Sequence, residues 1–209
     1  MSIFHPESPV MTALSRFFDM VILNILCFIG CLPVITTGAS FTALYTVTMQ
    51  IARNDDTYLV KAFLKAFKDN LKSSTITFFI MTAAGIVLYV DIGAIPLLPE
   101  GIQDFVKIVL YLVTGIYIMT LCYIFPYIAR FSDTVFKSIK NSFLIGIYNL
   151  HYSLPIVLLP VVCITATLWN VEMFVYGCAL WCVIGTVVLA MIQSLFLSRV
   201  FAKYEKTEE

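Results

Sequence analysis

Charged side chains are scarce in this sequence of 209 residues, since lysine, arginine, aspartate and glutamate together make up only 12% of it. Soluble domains average about 25% charged residues. Hydrophobic residues reach 60%, and the mean hydropathy is +0.94. A chain this short has too little interior to bury so much apolar surface, so the remainder must face lipid. The sequence therefore predicts a single integral membrane domain over residues 1–209.

Residue types that carry chemistry are equally sparse. The sequence contains two histidines, His5 and His151, and it lacks the P-loop, HExxH and GxSxG patterns. No carboxylate lies deep in an apolar stretch, whereas ion-driven transporters usually need a buried titratable group. We therefore expect no catalytic site, no metal and no cofactor. The net charge of zero also argues against a nucleic-acid partner.

Two pairs of cysteines, Cys27 with Cys31 and Cys178 with Cys182, are each four residues apart within apolar stretches. On a helix this spacing places both sulfurs of a pair on one face. Such a pair can belong to a soft-metal or redox site, or it can fill space as small, weakly polar residues. Because no histidine or acidic residue accompanies either pair, the packing interpretation is favoured.

Six apolar stretches follow one another along the chain. They cover about residues 17–35, 38–52, 74–95, 105–128, 152–169 and 173–200. Crossing a hydrocarbon core of about 30 Å takes about 20 residues. The last four stretches are long enough, the first only if its helix survives Pro33, and the second reaches only about 22 Å. We predict an all-α bundle of about six membrane helices, whose first two form a short hairpin broken by Pro33 and Gly38.

The positions of the basic residues predict the orientation. All lysines and arginines except Lys107 precede the first stretch, follow the second or fourth, or close the chain. The positive-inside rule therefore places both termini in the cytoplasm. Termini on one side require an even number of crossings, which means six, or four plus a re-entrant hairpin. A bundle of five spans is less favoured.

Two segments repeat the pattern AR-x-x-DT, namely residues 52–57 and 129–134. Each follows an apolar stretch and precedes an amphipathic segment and a further span. This order predicts a parallel internal repeat with units at about residues 38–95 and 105–170. It also predicts two amphipathic helices on the cytoplasmic side.

The first amphipathic segment carries four lysines at helical spacing. They are Lys61, Lys65, Lys68 and Lys72. Aromatic and aliphatic residues occupy the opposite face. The pattern is typical of a helix that lies in the membrane interface with its lysines toward anionic headgroups. Docking onto a cytoplasmic partner is the alternative.

Two groups of polar residues are candidate ligand sites. The first surrounds the broken hairpin and comprises Asn24, Thr36, Thr37, Gly38 and Ser40. Broken helices with exposed N-termini bind polar groups in transporters, although an ordinary tight turn explains the same residues. The second group lies on one face of the fourth stretch, where Tyr117 and Thr120 precede Tyr123 and Tyr127. Hydroxyl-bearing aromatic faces can hold sugars, but an interfacial aromatic belt is the alternative.

Several runs of residues resemble the YesL-like family of bacterial membrane proteins. They are NIL at 24–26, CLPVITTGAS at 31–40, TALY at 42–45 and AFLKAFKDNLK at 62–72. The last of these matches the family's F-x-x-x-F-K-x-N-x-K pattern. The resemblance implies a bacterial plasma-membrane protein that is often encoded beside genes for carbohydrate uptake and polysaccharide degradation. It brings no established molecular activity and no catalytic or ligand-binding residues.

These observations leave two expectations for function. The first is an auxiliary or regulatory protein that works with carbohydrate uptake, whose partners are the lipid bilayer and a carbohydrate ABC-type permease or a second copy of the chain. The second is a small stand-alone transporter or channel-like protein with its site at the broken hairpin.

Overall fold

A computed structural model describes residues 9–53 and 58–205, and this part of the chain is helical with no strand. Its helices are α1 (Pro9–Cys31), α2 (Thr37–Ala52), α3 (Leu59–Ala94), α4 (Glu100–Arg130), α5 (Val135–Tyr148), α6 (Leu150–Thr167), α7 (Val171–Leu180) and α8 (Thr186–Glu205). A 3-10 turn precedes α2, another follows α3, and a π-helical segment, Trp181–Gly185, joins α7 to α8. The all-α prediction is confirmed.

Five helices are long and apolar enough to cross a membrane. They are Leu14–Cys31, Leu59–Leu97, Glu100–Arg130, Leu150–Thr167 and Val171–Tyr204. The protein is therefore a membrane protein with several candidate spanning helices. Helix α2 has 16 residues and is only about 24 Å long, so it is not one of the five, and the predicted count of six stays a prediction.

Helix α2 is nevertheless the centre of the bundle. Helices α1, α3, α4 and α8 pack around it, and ten of its 16 residues are buried. Ala39, Ala43 and Val47 are completely enclosed. Small and hydroxyl-bearing residues let membrane helices approach closely, which explains why the least apolar of the six stretches is the most deeply buried. Protein surrounds most of α2, whereas the neighbouring helices expose many large apolar side chains.

The break between α1 and α2 is made by Pro33, and Gly38 has a different role. Gly38 lies in the first turn of α2, and its φ is not in the left-handed region. A Cβ atom built on it would lie 2.5 Å from the carbonyl oxygen of Ser74 and 2.9 Å from Cβ of Phe78. The prediction that Gly38 breaks the hairpin is therefore wrong, because what this position requires is close contact with α3.

The hairpin tip meets α3 well short of the far end of that helix. Gly38 contacts Ser74, which is about 22 Å from the start of α3 and about 30 Å from its end at the α-helical rise. Leu32, Val34 and Ile35 at the tip are 79%, 70% and 57% exposed. The tip thus presents apolar side chains outward while α2 packs inward.

The prediction that the lysine-bearing segment forms a separate helix is wrong. Residues 59–94 form one continuous helix of 36 residues, because no glycine or proline interrupts the chain between Leu59 and Ala84. The four lysines therefore belong to the first turns of a helix about 54 Å long. The second amphipathic segment does form a helix of its own, α5, which ends at Tyr148.

The two halves of the proposed repeat differ at this point. The first unit continues from its amphipathic segment into its span, whereas the second breaks between α5 and α6. The first AR-x-x-DT segment, residues 52–57, lies partly outside the described residues. The internal repeat stays a prediction.

Candidate functional site

Asn24 holds the π-helical segment against α1. Its side-chain nitrogen donates hydrogen bonds to the carbonyl oxygens of Trp181 (3.0 Å) and Cys182 (2.7 Å). Its side-chain oxygen accepts one from the backbone N–H of Val187 at 3.2 Å. A π-helical turn disturbs the regular ladder of an α-helix, so a side chain that supplies both a donor and an acceptor suits this position. The side chain of Asn24 is completely buried.

The other predicted residues of the hairpin also contact protein. The hydroxyl of Thr36 donates to the carbonyl oxygens of Gly30 (2.7 Å) and Pro33 (2.9 Å), which closes the turn. Thr37 is half-buried as the first residue of α2. Ser40 is completely buried, and its hydroxyl has no hydrogen-bond partner in the described part of the chain. A ligand-binding role for this group stays a prediction.

Several polar side chains inside the bundle pair with one another. The hydroxyl of Tyr45 donates to the side-chain oxygen of Gln193 at 2.5 Å, and the amide of Gln193 donates to the carbonyl oxygen of Ile156 at 2.8 Å. Two hydroxyl pairs at 2.8 Å join α2 to its neighbours, Thr42 with Ser74 and Thr48 with Ser194. Sequence analysis missed Gln193, although it is the single amide side chain in residues 173–200.

The predicted face of α4 is turned toward neighbouring helices. Tyr117 donates its hydroxyl to the carbonyl oxygen of Met81 on α3 at 2.9 Å. Thr120 donates to Ile116 within its own helix at 2.9 Å, and Tyr123 is 2.9 Å from the hydroxyl of Ser153 on α6. These contacts join helices, and the predicted ligand contact of Tyr117 and Thr120 stays a prediction.

A polar cluster closes the turn between α4 and α5. The carboxylate of Asp133 accepts a hydrogen bond from the hydroxyl of Tyr127 at 2.5 Å and forms an ion pair with Lys137 at 2.7 Å. Asn141 donates to the same tyrosine hydroxyl at 2.7 Å. The bonds from Lys137 and Tyr127 stabilise the charged carboxylate, so the pKa of Asp133 is lowered from its ordinary value. The arrangement fixes α5 alongside α4.

A cleft of about 480 Å³ with charged, amide and apolar side chains in its lining opens where the end of α2, the start of α3 and the end of α4 meet. Lys61, Lys65 and Asp69 line it from α3, and Gln50 lines it from α2. The side-chain oxygen of Gln50 is shielded from solvent and has no hydrogen-bond partner among the described residues. Lys68 and Lys72 do not line the cleft. The cleft therefore separates the four predicted lysines into two pairs.

An apolar groove of about 450 Å³ runs between α6 and the helix formed by α7, the π-helical segment and α8. The indole N–H of Trp181 donates to the hydroxyl of Thr167 across it at 3.0 Å. Cys178 and Cys182 are exposed, whereas Cys27 is buried. Within residues 9–53 and 58–205, no group of three or more histidine, cysteine or acidic residues could hold a metal ion.

The fold and its buried polar pairs define a helical membrane protein assembled around a short central helix. Residues 20–92, which run from α1 through α2 into α3, match the family described as "Protein of unknown function, DUF624". YesL-like proteins carry this domain, so the match agrees with the resemblance at the level of that region. No curated protein and no solved structure matches the chain.

Proposed function

We propose that this protein is an auxiliary or regulatory component of a carbohydrate-uptake system in the bacterial plasma membrane, and that it is not an enzyme. The observation that carries the proposal is the pairing of polar groups inside the bundle, above all Tyr45 with Gln193 and Ile156. A translocation path needs polar side chains that face a cavity or water, whereas these face one another. The link to carbohydrate rests on the resemblance of the hairpin and lysine segments to the YesL-like family.

The proposed topology has both termini in the cytoplasm and a re-entrant hairpin. Contact between Gly38 and Ser74 and the exposed apolar tip at Leu32 support re-entry of α1 and α2 on one side. The chain then crosses the membrane four times, through α3, α4, α6 and the joined α7–α8 helix. These crossings return it to the side on which it began. The basic residues at these helix ends support a cytoplasmic assignment.

Partner capture tests this proposal directly. The protein, tagged at its chromosomal locus and extracted in mild detergent, should co-purify with a carbohydrate ABC-type permease or with a second copy of itself. Amounts of the permease should be well above those recovered with an unrelated multi-pass protein that carries the same tag.

A different result would support the stand-alone transporter. If the protein purifies without a permease and an oligosaccharide raises its melting temperature, then the protein itself binds the transported substrate. That outcome would contradict an auxiliary role.

A further inference from the structure

We propose that the cleft lined by Gln50, Lys61, Lys65 and Asp69 binds a monoanionic phosphodiester that carries free hydroxyl groups. This is the chemistry of a glycerol-type phospholipid headgroup. The ligand would bind at the end of the bundle, whether or not the protein assembles with a permease.

The charge of the cleft favours a single negative charge on the ligand. Lys61, Lys65 and Asp69 are spaced four residues apart on α3 and line the cleft together. Residues at this spacing are neighbours on one helix face. Among the residues that the structure describes, two cations and one carboxylate give the lining a charge of +1. This charge matches a phosphodiester, which carries one negative charge, better than a phosphomonoester, which approaches two.

The uncharged lining favours hydroxyl donors on the same ligand. Gln50 lines the cleft, but its side-chain oxygen is shielded and unpaired within the described part of the chain. A rotation of the side chain toward the cleft would let this oxygen accept a ligand hydroxyl and would remove the cost of a buried acceptor without a donor. The carboxylate of Asp69 can only accept hydrogen bonds when it is ionised. A ligand with a phosphate for the lysines and hydroxyls for Gln50 and Asp69 satisfies all four side chains. A volume of about 480 Å³ is within the usual range for a small-molecule site.

The position of the cleft along α3 distinguishes binding at a specific site from a general attraction between lysines and anionic headgroups. Lys68 and Lys72 are closer in sequence to the apolar part of α3 than Lys61 and Lys65 are. If the lysines merely attracted anionic headgroups, both pairs would contribute alike. Binding in the cleft instead depends on Lys61 and Lys65 alone, because only these two of the four lysines line it.

The test measures binding of short-chain phosphatidylglycerol to the purified full-length protein in a neutral detergent. The Lys61→Gln/Lys65→Gln variant should bind at least about tenfold more weakly than the natural protein, since charge-assisted hydrogen bonds are lost. The matched control, Lys68→Gln/Lys72→Gln, should bind within about twofold of the natural protein. Because all four lysines are exposed, the melting temperatures of both variants without lipid should equal that of the natural protein.

A comparison of ligands tests the hydroxyl requirement. Phosphatidylmethanol is also a monoanionic phosphodiester, but its headgroup has no hydroxyl, so the natural protein should prefer phosphatidylglycerol. The Gln50→Leu variant should lose most of that preference. Competition by soluble glycerophosphoglycerol would assign a free phosphodiester as the source, and no competition would assign the lipid. Equal losses in the two lysine variants, or equal binding of the two lipids by the natural protein, would overturn the proposal.

Discussion

Replacing Gly38 with alanine should prevent much of the protein from folding. The added methyl group would lie 2.5 Å from the backbone oxygen of Ser74 and 3.1 Å from the ring of Phe125. This oxygen is part of the α3 backbone, so it can move away only if α2 and α3 separate. Overpacking of this kind costs about 1–3 kcal/mol. We expect a lower melting temperature in detergent and a smaller monodisperse fraction on size-exclusion chromatography.

Gly115 provides a matched control for this substitution. It is also a helical glycine, but nothing lies within 4 Å of a Cβ built on it. Gly115→Ala should leave stability unchanged or raise it by up to about 1 kcal/mol, because alanine favours a helix over glycine. If Gly38→Ala were as stable as Gly115→Ala, then close packing of α2 against α3 would be refuted.

Replacing Asn24 with leucine should be about as damaging, although leucine is similar in size. The change removes the two hydrogen bonds to Trp181 and Cys182 and the one from Val187. Hydrogen bonds between membrane helices average about 0.6 kcal/mol, with a maximum near 1.7 kcal/mol. Three of them, at a site that is completely buried, predict a loss of about 2–4 kcal/mol. Unfolding monitored by tryptophan fluorescence would measure it, since Trp181 lies at the contact.

Gln103 offers the corresponding control, because its side-chain hydrogen bond is exposed to solvent. Its amide donates a single hydrogen bond to the carbonyl oxygen of Leu98 at 2.7 Å, and water can replace this partner. Gln103→Leu should change stability by less than about 0.5 kcal/mol. An Asn24→Leu protein that unfolds with the same midpoint as the natural one would show that the amide does not hold the π-helical segment.

Composition and hydropathy were sufficient to predict the class of fold. The apolar stretches at residues 74–95 and 105–128 correspond to α3 and α4, because each is long and apolar enough to cross a bilayer. The stretch at residues 38–52 is short and contains several hydroxyl side chains, and the structure explains this composition by its central position. What the pattern did not show is that α3 extends through its lysines, since an amphipathic face looks the same in a separate helix and at the end of a longer one.

The contacts inside the bundle could not be predicted from the sequence for a different reason. Tyr45 and Gln193 are 148 positions apart in the chain, and their pairing depends on how α2 and α8 are packed. Asn24 belongs to the predicted group at the broken hairpin, but its partners are backbone groups in and beside a π-helical segment. The sequence pattern of residues 181–185 gives no sign that this segment departs from an α-helix. The division of four lysines into two pairs likewise depends on where the end of α2 meets α3.

A bundle core that is closed to water is the central requirement of the auxiliary role, and cysteine accessibility tests it directly. Thr42→Cys and Thr48→Cys would be introduced singly into a background without the six natural cysteines, with Lys65→Cys as an accessible control. Because Thr42 and Thr48 are completely enclosed, a water-soluble maleimide applied to both sides of the membrane should label neither until the protein is denatured, whereas it should label Lys65→Cys at once. Rapid labelling at Thr42→Cys or Thr48→Cys in the folded protein would reveal a water-filled path through the bundle and contradict the auxiliary role.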